Sequence, residues 1–133
     1  MAIARCAGLP LAITVASENP AETALVDATL EARLLRRKIT RLIGDKGCDS
    51  DELDAHLAAR GIEFIAPNRR NRRYNKQDGR PLWRYRRRRK IERLFAWLQK
   101  FRRLLTRNER HVENFLGFVQ LACIVILMRR IVR

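Results

Sequence analysis

The feature that most constrains this chain is an uneven load of positive charge. Residues 67–133 carry 21 Lys and Arg against 4 Asp and Glu, a net of +17, whereas residues 1–66 carry 8 against 10, a net of −2. A fold built from the second half has to keep most of that charge in water while its apolar positions find a core. The densest stretch, YRRRRKIERLFAWLQKFRR from Tyr85 to Arg103, holds nine Lys and Arg and one acid, Glu92. Such a field suits a polyanion. Arginine predominates there, and its planar fork donates two hydrogen bonds at once to a phosphate. Nucleic acid is the leading partner, and an anionic membrane surface is the weaker competitor.

With 133 residues the chain is long enough for one domain with a real core. Its three cysteines, Cys6, Cys48 and Cys123, are scattered and odd in number. They support neither a disulfide framework nor a zinc site, and they point to reduced thiols in a cytoplasmic protein. Cys6 and Cys123 read as small core residues. No cleavable signal peptide is expected: Arg5, Glu18 and a strand-like alternation interrupt the N-terminal apolar stretch. The run FLGFVQLACIVILM, Phe115–Met128, falls short of the roughly 20 residues a span needs and contains Gln120. It reads as a buried helix, so no membrane partner is expected.

Along the chain, MAIAR and LAITVA read as two short strands around a Gly-Leu-Pro bend. Asn19-Pro20-Ala21-Glu22 is a helix start, and Val26, Leu30 and Leu34 give that helix an apolar stripe. Leu42-Ile43 suggests a short strand ended by Gly44-Asp45-Lys46-Gly47. A second helix begins near Asp49, buries Leu53 and Leu57 and closes at Gly61. IEFIAP is a further strand. This alternation predicts an α/β class, a small sheet with crossover helices. Asn68–Arg84 lacks periodicity and reads as a basic loop within the single domain 1–133. A helix is then expected from about Trp83 to Leu105, and a last one from about Glu109 to Ile131.

In that basic helix Tyr85, Arg88, Glu92 and Gln99 are three, four and seven residues apart, which at 3.6 residues per turn places them on one face beside the apolar stripe. Asp45 belongs at the C-terminal end of a strand, where open α/β sheets place their sites. Two carboxylates at a sheet edge among arginines suit a divalent cation beside a phosphate, and Asp45 and Glu92 are expected to converge. Spacing alone favours the plainer assignments, Glu92 as a surface acid paired with Arg88 or Arg89 and Asp45 as a strand-end turn residue.

Tyr85-x-x-Arg88-x-x-x-Glu92 resembles the Y-R-E part of the YREK signature of bacterial insertion-sequence DDE transposases. LIGDKGCDSDELDAHLAARGIEFIAPNRRNRR resembles the segment around that family's second acid, and IERLFAWLQKFRRLLTRNERHVENFLGFVQLACIVILMRR resembles its C-terminal segment. The resemblance runs from about Leu9 to Arg130. It implies a partial ribonuclease-H-like fold and phosphoryl transfer on DNA. Asp45 then matches the second Asp of the triad and Glu92 its Glu, both holding magnesium or manganese in a complete site. Arg88 would steady a phosphate or Glu92, and Tyr85 would orient the helix. Gln99 stands at the signature Lys position with Lys100 next to it. Cys48 stands where the family commonly has an aromatic residue, and no residue here matches the first Asp. The chain is therefore expected to be a fragment or the downstream-frame product of a transposase, incomplete as an enzyme by itself. The alternative is an inactive DNA-binding remnant.

The remaining basic residues are expected to meet the DNA backbone without reading sequence. They are Arg69, Arg70, Arg72, Arg73, Arg86, Arg87, Arg89, Lys90, Arg93, Lys100, Arg102 and Arg103. Expected partners are DNA at the element's ends and target, an upstream segment or full-length transposase, and a second copy of the chain. The expected location is the bacterial cytoplasm, at the nucleoid.

Overall fold

The computed structural model describes residues 1–16, 20–33, 38–70 and 81–132. Asn19, Leu34, Arg72, Arg73 and most of the expected basic loop lie outside that set. The chain divides into two compact units, Met1–Leu35 with Arg89–Arg133, and Arg36–Arg88 inserted between them in sequence. The class is mixed α/β, and the elements are compatible with a partial ribonuclease-H-like fold.

The first unit opens with an antiparallel hairpin of β1, Ala2–Ala4, and β2, Pro10–Ile13, in the register Ala2↔Ile13 and Ile3↔Ala12. Its turn needs Gly8, which sits at φ 80°, a conformation that side chains with a Cβ resist. Helix α1, Glu22–Glu31, then lays Val26 and Leu30 into the core. Its buried Thr29 hydroxyl shares a 2.7 Å hydrogen bond with Thr14 and donates to Leu25 O at 2.6 Å, so the polar group inside is satisfied. The N-cap is Ala21, with no side-chain cap, and the helix begins at Glu22.

The basic C-terminal half of this unit folds as α3, Arg89–Leu98, a single turn α4, Arg102–Leu105, and α5, Val112–Ile131. Leu94 and Leu98 of α3 meet Ala122, Cys123 and Ile126 of α5, and Ala2, Ala4, Leu9, Ile13, Ile91, Trp97, Phe101 and Leu104 pack around them. This is the expected C-terminal helical pair. The expected single helix from Trp83 to Leu105 is corrected on two counts. Pro81–Arg88 is a 3-10 helix, and α3 ends at Leu98 before the Gln99–Phe101 turn.

Two further expectations are corrected here. Cys6 is exposed, while Cys48 and Cys123 are buried. The C-terminal helix agrees with the one expected to run to Ile131, but at 20 residues it exceeds the apolar run Phe115–Met128 whose length argued against a span, and by length and composition it could cross a membrane. Val119, Ala122, Cys123 and Ile126 form its buried side, while Phe118, Leu121, Ile124, Met128 and Ile131 stay exposed.

The second unit is a β-α-β crossover. Strands β3, Arg41–Ile43, and β4, Glu63–Ile65, pair in parallel with Leu42 opposite Phe64, and α2, Asp51–Ala59, connects them. Ser50 caps α2 through Leu53 N, and Leu53 and Leu57 are its buried face. At its end Gly61, φ 71°, donates to Ala58 O at 2.9 Å and Ile62 donates to Leu57 O at 2.9 Å. This is the Schellman closure that a C′ glycine permits.

Leu94 is fully buried, whereas Leu105 is 63% exposed. Leu94→Ala should cost about 2–5 kcal/mol, the range for a cavity in a packed core. Leu105→Ala should stay within about 0.5 kcal/mol. Urea unfolding of both variants checks the contrast. Burial also pushes the Cys123 thiol up, which makes its reactive thiolate scarce. Iodoacetamide should therefore modify Cys6 in the native chain and reach Cys123 only in denaturant, as read by peptide mass.

Candidate functional site

Asp45 is delivered to a sheet end by the shortness of β3. After Ile43 the ladder extends one more bond, Gly44 N to Ile65 O at 3.0 Å. The chain then leaves the sheet, and Asp45, extended at φ −84° and ψ 170°, caps a 3-10 turn of Lys46–Cys48. Its Oδ1 accepts from Lys46 N at 2.6 Å, and Cys48 N returns to Asp45 O at 3.0 Å. Gly44 is needed for packing here. A Cβ at that position would lie 2.8 Å from Phe64 Cε2 and nearer still to Cζ.

The 3-10 helix Pro81–Arg88 packs against β3 and β4. Arg84 reaches Glu63 Oε1 at 3.8 Å, and Arg41 Nε holds the other oxygen of Glu63 at 2.5 Å. In a 3-10 helix residues three apart eclipse one another, so Tyr85 and Arg88 emerge on one side. The Tyr85 hydroxyl donates to Asp45 Oδ1 at 3.2 Å. Arg88 Nη1 donates to the Tyr85 oxygen at 2.6 Å and lies 3.1 Å from Asp45 Oδ1. Three of the expected site residues therefore meet in the second unit. The other two are carried by the first: Glu92 is exposed on α3, and Gln99 is exposed in the turn after it. The shared face inferred for all four helical residues assumed one uniform pitch, and the change from 3-10 to α at Arg89 removes that basis.

Among the described residues, no three His, Cys, Asp or Glu side chains gather as ligands for a metal ion. Asp45 brings the hard oxygen that magnesium prefers, but its Oδ1 already serves Lys46, Tyr85 and Arg88. These residues thus offer one carboxylate of a cation site rather than a full set.

The expected DNA-backbone residues have varied surroundings. Arg70, Arg86, Arg87, Arg89, Arg93, Lys100, Arg102 and Arg103 are exposed, and Lys90 is half-buried. Arg87 lies 5.8 Å from the centre of the Trp83 ring, and Trp83 is 60% exposed. Trp97 is half-buried between Arg93 at 5.9 Å and Arg130 at 5.3 Å. Arg103 stands 3.7 Å from Glu109. Arg69 donates its Nε to Lys46 O at 3.2 Å, its Nη2 to Gly47 O, and its backbone N to Asp49 Oδ2 at 2.6 Å. Sequence reasoning missed this arrangement, as it missed the Arg84–Glu63 anchor, because no spacing rule links positions about twenty apart.

Gly44→Ala should lower stability by about 1–3 kcal/mol, the range for overpacking, with Phe64→Leu partly restoring it in thermal unfolding. The Arg88–Asp45 side chains are 36% and 46% exposed. Solvent screening therefore holds their coupling in a double-mutant cycle below about 1 kcal/mol.

Comparison with known proteins gives the family. The family described as "Transposase DDE domain" matches residues 1–127. A Burkholderia cepacia protein described as a transposase for insertion sequence element IS402 is 33% identical over 127 residues, covering 90% of this chain and 57% of the relative. The chain therefore spans little more than half the length of that relative. No solved structure matches. With a match across nearly its whole length, the chain belongs to the DDE-domain transposase family.

Proposed function

We propose that this chain works in DNA transposition, as the part of a transposase that supplies two acids for phosphodiester hydrolysis and strand transfer at the ends of an insertion sequence. The observation that carries the reading is the Asp45–Tyr85–Arg88 triangle at the end of β3. It brings together two sequence segments forty positions apart, and both are segments that resemble the family.

In this reading Asp45 and Glu92 are the two acids. Magnesium or manganese, when bound, would stabilise charge on the reacting phosphate; each acid would offer it a carboxylate, and a further acid would complete the set. The Tyr85 hydroxyl holds the Asp45 carboxylate in one orientation. Arg88, beside both, would steady a phosphate or Glu92, and Gln99 takes the place of the signature lysine. In this reading residues 1–133 belong to a single transposase catalytic domain. Arg70, Arg72, Arg73, Arg86, Arg87, Arg89, Lys90, Arg93, Lys100, Arg102 and Arg103 would hold the DNA backbone of the element ends and the target. The natural partners are then DNA, the rest of a transposase and a second copy, met at the nucleoid in the cytoplasm.

One observation favours a second reading, an inactive DNA-binding remnant. Oδ1 of Asp45 is already occupied by three donors, which disfavours its release to a ligand.

Cleavage separates the two readings. The isolated chain should show no magnesium-dependent nicking of DNA. Fused in frame behind the N-terminal portion of the Burkholderia cepacia relative, it should nick a labelled insertion-sequence end. Asp45→Asn or Glu92→Gln should then abolish nicking, each removing a charge while keeping the shape. A fusion that binds DNA but never nicks it supports the remnant. DNA affinity should fall steeply with salt, because each neutralised phosphate releases counterions. Replacing Arg86, Arg87, Arg89 and Arg93 by Ala should flatten the log–log slope by about 0.9 per lost contact; an unchanged slope would remove this stretch from the interface.

A further inference from the structure

We propose that Arg69 is a positioning residue for Asp45, its exposed guanidinium engaged by the turn that presents that acid rather than by the DNA backbone. The inference rests on the reading of Asp45 as an acid of the reaction. The tight turn Lys46–Cys48 leaves backbone carbonyls facing outward, and such groups need donors. Lys46 O already receives Asp49 N at 3.2 Å, and Arg69 Nε joins it at 3.2 Å while Arg69 Nη2 takes Gly47 O. Adjacent N–H groups on one edge of a guanidinium reach two successive carbonyls together. An ammonium is a point charge without that rigid fork.

The far side of the turn is closed by the same residue, whose backbone N–H donates to Asp49 Oδ2 at 2.6 Å. The coupling to Asp45 runs through Lys46. Its N–H holds Asp45 Oδ1 at 2.6 Å, and its C=O is held by Arg69. A rotation of Lys46 would break the second bond and turn the Asp45 carboxylate away from Tyr85 and Arg88. Arg70, the next residue, is exposed as Arg69 is and serves as the matched control.

The test compares Arg69→Lys, Arg69→Ala and Arg70→Ala in the whole chain. Three quantities are read by NMR and DNA titration: amide exchange at Lys46–Asp49, the carboxyl carbon-13 resonance of Asp45, and the salt slope of DNA binding. Both Arg69 variants should raise exchange in the turn at least tenfold and shift the Asp45 resonance, with exchange in α5 unchanged. Their salt slope should change by less than half of the ~0.9 expected for one phosphate contact. Arg70→Ala should do the reverse. The proposal is overturned if exchange and the Asp45 resonance stay at wild-type values while Arg69→Ala lowers the slope by about 0.9 and Arg69→Lys restores it. It is also overturned if the turn loosens but the Asp45 resonance does not move, since that is a purely structural role. Should Asp45→Asn leave the fused enzyme active, the functional reading of Asp45 fails while the Arg69 results stand.

Discussion

The structure depends on removing two leucines from the most highly charged part of the chain. Leu94 and Leu98 lie on a helix that also carries Arg89, Lys90 and Arg93, and they are buried while those cations remain at or near the surface. Like charges on one short helix repel, and helix propensity alone does not hold ten residues together in water. Burial of a leucine side chain stabilises by roughly 1.5–3 kcal/mol, so the seam between α3 and α5 is what keeps the basic helix folded. Trp97 packs at the border of that seam, with Arg93 and Arg130 at 5.9 and 5.3 Å from the centre of its ring, a favourable use of cations beside an aromatic ring.

The second unit solves a different problem. A parallel pair of three-residue strands is too small to persist alone, and α2 stabilises it by covering it with Leu53 and Leu57. Short strands have a functional consequence as well. They bring the chain out of the sheet after one ladder bond beyond Ile43, and the acid at that exit is Asp45. Neighbouring segments then fix its direction: the 3-10 helix from one side with Tyr85 and Arg88, and the loop after β4 through Arg69. The acid is thus ordered by hydrogen bonds while still about half exposed to solvent, a combination suited to a group that must meet a phosphate.

Much of this was legible in the residues. The charge split, the hairpin, the β-α-β unit closed by Gly61, the stripe of Leu94 and Leu98 and the strand-end place of Asp45 all follow from near-neighbour chemistry: turn residues, caps and periodicity. Family membership rested on segments that are contiguous in sequence, so it too could be read there. The reading failed where one pitch was extended too far. Tyr85, Arg88, Glu92 and Gln99 fit a single α-helix on paper, but the described helix is 3-10 up to Arg88 and ends before Gln99.

What the sequence determined, then, is which segments pair locally and which acid stands at a strand end. Only the tertiary structure decided which of the exposed arginines bonds to the protein's own backbone. Arg69 and Arg70 are exposed neighbours with the same side chain, yet it is Arg69 that is bound to the Lys46–Gly47 carbonyls. The distinction depends on where a turn twenty residues earlier aims its carbonyls, and that direction is set by packing, which no local pattern records.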